Sequence, residues 1–175
     1  WEIEARAFAT LCLDLDGFQA VNDMHGHGIG DRLLCAVAQR LEQAAGSGDL
    51  CGRLGGDEFA VICKDVRGEE QVALLASAII ASLSQPYRIE GRTIQIGVSI
   101  GAAIAEAEMA GSDAMMIAAD RALYRAKGAG KGVFRIAGRP DRPVTPIRSA
   151  NRDDAHATRP EPALQADIHR VAAAQ

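Results

Sequence analysis

Hydrophobic and polar positions change period several times along residues 1–137, and the changes predict alternating strands and helices. Residues 8–15 form an apolar run of strand length with both faces filled, which is typical of a buried central strand. Apolar residues at helical spacing predict three helices, over residues 30–45, 69–83 and 113–127. Short apolar runs predict further strands, over residues 50–54, 59–63, 87–89, 93–104 and 133–136. Together these segments predict an α/β domain with a mixed sheet.

The composition changes after Ala137. Five of the six prolines lie beyond this residue, and no aromatic residue follows Phe134. Such a segment buries too little apolar surface to fold by itself. We therefore predict one domain over residues 1–137, and a Pro-rich linker over residues 138–175 that ends in a short helix. Because the chain begins with Trp1 and not with Met, we expect it to be a piece of a longer protein.

Net charge and hydropathy exclude several classes of partner. The formal charge is −4 and the pI is about 5.6, which disfavours nucleic acids and acidic membrane surfaces as partners. No apolar run approaches the roughly 20 residues of a membrane span, so we expect no membrane contact by this fragment. The four cysteines lack CxxC spacing and lie in apolar sequence, which predicts reduced core thiols. We expect a cytoplasmic domain, in a parent protein that can still be tethered to a membrane.

The first predicted strand ends in two acidic residues, Asp14 and Asp16, on either side of Leu15. Side chains two residues apart in a strand point the same way, here at the carboxyl edge of a buried strand. Open α/β sheets bind ligands at this edge. Two neighbouring carboxylates favour a bound Mg²⁺, although an Asx turn leading into a loop explains them equally well.

A second acidic pair lies in the predicted hairpin, where Asp57 and Glu58 follow two glycines. Leu54 and Phe59 are expected to anchor the two arms in the core. If the hairpin pairs beside the first strand, its acids converge on Asp14, and such a cluster suits two divalent cations and phosphoryl or nucleotidyl transfer. The alternative is a solvated acidic turn.

Residues 22–31 are predicted to form a polar loop, and Asp31 is placed at the start of the following helix. Asp31 fits a helix cap, but its carboxylate also suits the N1–H and exocyclic amine of guanine, with Asn22 at another edge. His25 and His27 have no third ligand at a recognisable spacing, so they are interpreted as loop residues.

Two cations, Lys127 and Lys131, surround the glycine-rich end of the last predicted helix. Positive charge is favourable at any helix C-terminus, so these lysines need no ligand to explain them. Beside a carboxylate-rich site, the same lysines suit a triphosphate.

Seven short motifs follow one another in a definite order: LDLDGF at 13–18, ND at 22–23, GH at 26–27, GD at 30–31, RLGGDEF at 53–59, VSIG at 98–101, and AD at 119–120 continuing through Tyr124 to Lys127. In this order and spacing they resemble the GGDEF domain of diguanylate cyclases, over roughly residues 8–136. The resemblance implies the palm-like fold of nucleotidyl cyclases, with a mainly antiparallel central sheet flanked by helices (α+β). It also implies that two GTP molecules are condensed into cyclic di-GMP, with release of two pyrophosphates, across a homodimer.

The resemblance assigns a role to each matching residue. Asp14, the Leu15 carbonyl and Asp57 match the ligands of Mg²⁺ or Mn²⁺, with two ions per active site. Glu58 matches a residue that assists at the metal or deprotonates the attacking hydroxyl. The remaining matches contact the nucleotide: Asn22 and Asp31 at guanine, Phe18 in the loop around the phosphates, and Lys127 and Lys131 at the β- and γ-phosphates.

Several positions depart from the family pattern. Gln19 stands where many members carry Lys, and Gly46 stands where the Arg of the product-inhibition motif is expected. Residues 163–170 are similar to the helix that leads into EAL phosphodiesterase domains, which predicts an EAL or a sensor domain in the parent chain. These departures support a second hypothesis, in which the domain binds GTP without turnover and regulates an adjacent phosphodiesterase.

Overall fold

The structure, a computed structural model, describes residues 7–105 and 112–138. These residues form seven strands and four helices: β1 (Ala9–Asp16), α1 (Phe18–His25), α2 (His27–Ala44), β2 (Leu50–Gly55), β3 (Glu58–Cys63), α3 (Glu69–Leu83), β4 (Tyr87–Ile89), β5 (Arg92–Ile94), β6 (Gly97–Ile104), α4 (Ser112–Gly128) and β7 (Phe134–Ile136).

Five strands form one sheet in the order β2-β3-β1-β6-β7, and β4 and β5 form a separate hairpin. Strands β2, β3, β1 and β6 are mutually antiparallel where they pair, whereas β7 runs parallel to β6. The predicted α+β class, with a mixed and mainly antiparallel sheet flanked by helices, is therefore confirmed. Strand β1 lies in the middle of the sheet, which explains why apolar residues fill both of its faces.

Alternate residues of β1 face two different layers. Leu11, Leu13 and Leu15 belong to the main core, which also contains the buried faces of α2 and α3. Cys12 faces the other way, into a smaller cluster with Met115 and Leu123 of α4. Asp14 and Asp16 follow Cys12 at a spacing of two and therefore share the α4 face.

Glycine at position 101 allows α4 to lie directly on the sheet. A Cβ atom at Gly101 of β6 would lie 2.1 Å from the Ala119 carbonyl oxygen and 2.1 Å from the Leu123 nitrogen. Both of these atoms belong to the backbone of α4, so no side chain rotation relieves the contact. The absence of a side chain at Gly101 therefore sets the distance between helix and sheet.

Arg40 connects α2 to the C-terminal end of α3. Its guanidinium donates hydrogen bonds to the carbonyl oxygens of Gln85 (2.6 Å), Pro86 (2.7 Å) and Ser82 (3.3 Å). It also stacks 3.8 Å from the centroid of the buried Tyr87 ring. Ser82 lies in the last turn of α3, and Gln85 and Pro86 follow the helix, so Arg40 donates to carbonyl groups at and just beyond this helix end.

The structure corrects three of the predicted segments. Residues 18–25 form helix α1, although a polar loop was predicted to begin within this segment. Helix α2 begins at His27, three residues before its predicted start, so Asp31 lies in its second turn and does not cap it. The predicted strand over residues 93–104 divides into β5 of the small hairpin and β6 of the main sheet.

The prediction of four core cysteines is also partly wrong. Cys12 and Cys63 are buried, but Cys51 is half-buried and Cys35 is exposed, and all four are free thiols. Burial, together with neighbouring carboxylates, raises the pKa of Cys12 and of Cys63 to about 11. The predicted Pro-rich linker and terminal helix lie, except for residue 138, outside the described residues, so the division at residue 137 stays a prediction.

Candidate functional site

The end of β1 and the turn between β2 and β3 bring the predicted acidic residues together. Strand β3 pairs beside β1 with Asp14 directly opposite Glu58. The Leu15 amide donates a hydrogen bond to the Asp57 carbonyl at 3.2 Å, so the turn is tied to the strand by its backbone. The four residues thus meet at one edge of the sheet because the hairpin pairs with the central strand.

The turn itself depends on two glycines and one arginine. Gly56 has φ +52°, in the left-handed region that glycine adopts without a steric cost. The Arg53 guanidinium donates hydrogen bonds to the Gly56 carbonyl from Nε at 2.9 Å and from Nη2 at 2.7 Å. Arg53 therefore holds the peptide that precedes Asp57. Sequence reasoning gave Arg53 no role, although an arginine beside a Gly-Gly-acid turn is long enough to reach back to it.

The two arms of this hairpin differ in burial. Phe59 is buried as predicted, but Leu54 is 54% exposed and does not anchor its arm in the core. The pairing is irregular between Arg53 and Gly55, where the register shifts by a bulge. Strand β2 is at the edge of the sheet and every residue in it except Cys51 is exposed, so Leu54 shares the exposure of its strand.

Lys127 of α4 contacts the acidic cluster directly. Its ammonium group lies 2.6 Å from Asp14 Oδ2. Partial burial alone would lower the pKa of Lys127, but the hydrogen bond to Asp14 and the charges of Asp14, Asp57 and Glu58 outweigh burial and raise it. Lys127 thus contacts Asp14 directly and lies within range of the charges of Asp57 and Glu58.

The second predicted cation, Lys131, follows α4 in the loop before β7. Its side chain is exposed, and its backbone has φ +65° between two glycines that also have positive φ. The loop is joined to the sheet at Gly132, whose amide donates to Asp16 Oδ2 at 3.0 Å. Lys131 is therefore the sequence neighbour of a residue that contacts the acidic edge. Among the described residues, no hydrogen bond or ion pair joins its own side chain to the carboxylates.

Phe18 and Asn22 lie on helix α1 and not in a loop. Phe18 begins the helix, and its ring is buried in the main core. The Asn22 side chain packs against α2, because its Oδ1 lies 1.8 Å from the position that a Cβ atom of Gly30 would take. This buried oxygen has no hydrogen-bond partner among the described residues.

Asp31 is exposed and lines a cavity of about 320 Å³ between α2 and β2. Leu34 and Phe59 contribute apolar walls, and Arg53 closes the side towards the Gly56 turn. Apolar walls with two acidic residues, Asp31 and Glu42, suit a flat base that carries N–H donors. Asn22 does not line this cavity, so the structure does not bring the two predicted guanine residues together there.

The oxygen donors at the acidic edge fit a Mg²⁺ ion. Within residues 7–105 and 112–138, no three Asp, Glu, His or Cys side chains are grouped closely enough to hold a metal by themselves, and this includes His25 and His27. Mg²⁺ rarely needs such a cage, because one or two carboxylates with water and substrate phosphates usually hold it. The Asp14 carboxylate already forms an ion pair with one cation, because its Oδ2 lies 2.6 Å from the Lys127 ammonium nitrogen. Asp14, the Leu15 carbonyl and Asp57 supply oxygen donors of the kind that Mg²⁺ prefers, and their assignment as its ligands stays a prediction.

This combination of fold and motifs matches a known family. The family model described as "Diguanylate cyclase, GGDEF domain" matches residues 2–132. The chain belongs to the GGDEF family. None of the helices in the part of this GGDEF domain that the structure describes is both long and apolar enough to cross a membrane.

Three relatives illustrate the similarity. This GGDEF domain is 42% identical over 129 residues to the bifunctional diguanylate cyclase/cyclic di-GMP phosphodiesterase MucR of Pseudomonas aeruginosa, covering 74% of this chain and 19% of MucR. It is 35% identical over 148 residues to the cyclic di-GMP phosphodiesterase PdeB of Shewanella oneidensis, covering 84% of this chain and 17% of PdeB. The crystal structure of the GGDEF domain of YfiN (TpbB) from Pseudomonas aeruginosa superposes with a TM-score of 0.74 at 34% identity, covering 78% of this chain and 86% of that chain. The chain thus spans less than a fifth of MucR and PdeB, but most of a solved GGDEF domain.

Proposed function

We propose that this GGDEF domain is a diguanylate cyclase that condenses two GTP molecules into cyclic di-GMP, with one GTP bound by each subunit of a dimer. The observation that carries the proposal is the pairing of Asp14 with Glu58, which collects three carboxylates and Lys127 at one edge of the sheet. Each condensation joins the 3′-oxygen of one GTP to the α-phosphorus of the other. The bond to the β-phosphate breaks, and two such steps release two pyrophosphates.

The metal ligands proposed here are the Asp14 and Asp57 carboxylates and the Leu15 carbonyl. When two Mg²⁺ or Mn²⁺ ions are bound, they neutralise charge on the phosphates and on the entering and leaving oxygens. Glu58 lies opposite Asp14 and is exposed, so its carboxylate is accessible to accept the proton of the 3′-hydroxyl. The backbone at Phe18, where α1 begins, lies beside the phosphates.

The nucleotide is held at its two ends in this proposal. Lys127 and Lys131 bind the β- and γ-phosphates, and the contact of Lys127 with Asp14 shows that its ammonium reaches the acidic edge. Asp31 accepts hydrogen bonds from guanine at the mouth of the cavity between α2 and β2. Asn22, which packs against Gly30 one residue before Asp31 and does not line that cavity, is proposed as the second contact to the base.

The experiment that tests this proposal is chromatography of the nucleotides after incubation of the purified chain with GTP and Mg²⁺. We expect cyclic di-GMP from the unchanged chain and at least a hundredfold less from Asp57→Asn, since the loss of one group that stabilises developing charge costs about 10²–10³ in rate. Glu70→Gln, an exposed acid on α3, is the matched control and should retain activity. Full activity in Asp57→Asn would refute the metal assignment.

A second variant tests recognition of the base. Asp31→Ala should reduce the preference for GTP over ATP, because adenine lacks the N1–H donor that a carboxylate accepts. If the ratio of the two nucleotide affinities is unchanged in Asp31→Ala, Asp31 does not read guanine.

A regulatory domain that binds GTP without turnover is the second candidate function. It is supported by Gln19, by Gly46 in place of the inhibitory arginine, and by similarity to PdeB, a named phosphodiesterase. The Asp49 carboxylate, at the other end of that motif, accepts hydrogen bonds from the Gly46 and Lys64 amides and thus serves the local fold. Binding of GTP without any product, in a longer chain that forms dimers, would favour this function over the cyclase.

A further inference from the structure

The second carboxylate of β1, Asp16, has a set of partners that the proposed reaction does not use. The Ser99 hydroxyl lies 2.9 Å from Asp16 Oδ2 and 3.1 Å from Oδ1 and donates to this carboxylate. The Gly132 amide donates to Asp16 Oδ2 at 3.0 Å and lies 3.2 Å from the Ser99 hydroxyl oxygen. Ser99 is fully buried, at 0% exposure, whereas Asp16 and Gly132 are half-buried, so the network is partly shielded from water.

The loop whose Gly132 amide donates these hydrogen bonds has an unusual backbone. Gly130, Lys131 and Gly132 have φ values of +111°, +65° and +63°. A left-handed conformation costs a residue with a side chain about 1–2 kcal/mol, and it persists only where the surroundings determine it. For Lys131, the determining contacts lie at its neighbour Gly132 and at Val133, whose carbonyl accepts from the Ile100 amide at 3.0 Å.

The two carboxylates of β1 thus contact two different parts of the phosphate-binding region. Asp14 holds the Lys127 ammonium by its side chain, whereas Asp16 holds the backbone next to Lys131. Gly97, opposite Asp16 on β6, leaves room for this arrangement, because a Cβ atom there would lie 3.3 Å from Asp16 Oδ2. The described hydrogen bonds of the Asp16 carboxylate go to Ser99 and Gly132, and neither of these residues lines the cavity beside Asp31.

We infer that Asp16, acting through Ser99 and Gly132, is a positioning residue that directs Lys131 towards the β- and γ-phosphates of the nucleotide. The inference rests on the proposed function, because it needs a triphosphate at the acidic edge. Asp16 holds no substrate atom itself. It fixes the loop before the nucleotide arrives, so that less of the binding free energy is spent on ordering Lys131.

Nucleotides with and without the β- and γ-phosphates separate positioning from a general structural role. The probes are 3′-deoxy-GTP, which cannot condense because it lacks the attacking hydroxyl, and GMP, which lacks the phosphates that Lys131 is proposed to bind. Both are titrated calorimetrically into the purified chain in the presence of Mg²⁺. Ser99→Ala removes the bridging hydroxyl, and Asp16→Asn keeps the shape but loses one acceptor oxygen.

We expect Ser99→Ala and Asp16→Asn each to weaken binding of 3′-deoxy-GTP by about three- to tenfold, the range for ordering one long side chain. Binding of GMP should change less than about twofold. In a Lys131→Ala background, the same substitutions should have no further effect on 3′-deoxy-GTP, since residues that act through one another are not additive. Thr10→Val, which removes another buried hydroxyl from the same sheet, is the matched control and should leave both affinities unchanged.

The remaining outcomes overturn the inference in distinguishable ways. Equal weakening of GMP and 3′-deoxy-GTP would mean that Asp16 only supports the fold, as would full additivity with Lys131→Ala. Tight binding of 3′-deoxy-GTP that none of the three substitutions changes would remove Lys131 and Asp16 from the site while leaving the proposed function intact. Failure of the unchanged chain to bind either nucleotide would overturn the proposed function and this inference together.

Discussion

Replacing Gly101 by alanine tests how the sheet and α4 fit together. The new Cβ atom would lie 2.1 Å from the Ala119 carbonyl oxygen and from the Leu123 amide nitrogen, and 2.7 Å from the Leu123 Cα. All three atoms are backbone atoms of one helix, so relief requires α4 as a whole to move away from β6. Ordinary van der Waals contact begins at 3.4 Å, and the helix must therefore retreat by more than ~1 Å.

The cost of that movement follows from the contacts it weakens. Overpacking of a core typically costs about 1–3 kcal/mol, and a radial gap of about 0.5–1 Å already forfeits a quarter to a half of each dispersion contact. The buried residues Met115, Ala119 and Leu123 of α4 would all lose contact with the sheet. We therefore expect Gly101→Ala to lower the free energy of unfolding by about 3 kcal/mol, a large part of the usual 5–15 kcal/mol, which is about the range for small domains.

Urea unfolding followed by circular dichroism measures this change. Gly52→Ala is the matched control, because Gly52 also lies in a strand but its added Cβ atom would meet nothing within 4 Å. If the two variants differ in unfolding free energy by less than about 1 kcal/mol, the close approach of α4 to β6 does not limit packing as argued. In the same variant, Lys127 should move away from Asp14, so nucleotide binding should weaken as well.

Three further predictions concern other contacts. Arg40→Ala should lower the unfolding free energy by about 1–3 kcal/mol, because it removes three hydrogen bonds to carbonyl groups and the stacking on Tyr87. A variant that is equally stable in urea unfolding would contradict this prediction. Because the pKa of Lys127 is raised in the folded state, its ion pair with Asp14 stabilises the fold at any pH below the ordinary lysine pKa of about 10.4. This stabilisation is lost as the pH rises through the pKa that Lys127 has in the folded state. The stability difference between the unchanged chain and Lys127→Met, measured in urea at pH 8 and pH 11, should therefore shrink, and a constant difference would argue against the ion pair. In the native protein at pH 8, a thiol reagent should modify the exposed Cys35 first, and it should reach the buried Cys12 and Cys63 only after denaturation. Cys35→Ser should therefore remove the fast phase of the reaction.

Strong local patterns explain what the sequence alone could predict. Helix α3 begins and ends at the predicted residues, 69 and 83, because a long apolar stripe defines it. The central position of β1 followed from its two apolar faces. The convergence of Glu58 on Asp14 was predicted on the condition that the hairpin pairs beside β1, and that pairing is present.

The missed features depend on contacts between residues distant in the chain. Helix α1 has eight residues, which is too short to be stable by itself, and Phe18 and Val21 support it from the core. Ser99 and Asp16 are 83 residues apart in the chain, so no local spacing indicates their hydrogen bond. Gly26, with φ +84°, ends α1 and begins α2, and the polar residues around it are equally typical of a loop.

The central place of β1 has a consequence for the chain as it is made. Among the strands that the structure describes, β1 is synthesised first, and both strands that cover its edges, β3 and β6, come later in the sequence. Until then an apolar strand of eight residues has two open edges, which is the type of segment that pairs with other unfolded chains. Charges beside such a strand oppose that pairing. Asp14 and Asp16 place two such charges at the end of β1, where they oppose pairing of the nascent strand with other chains.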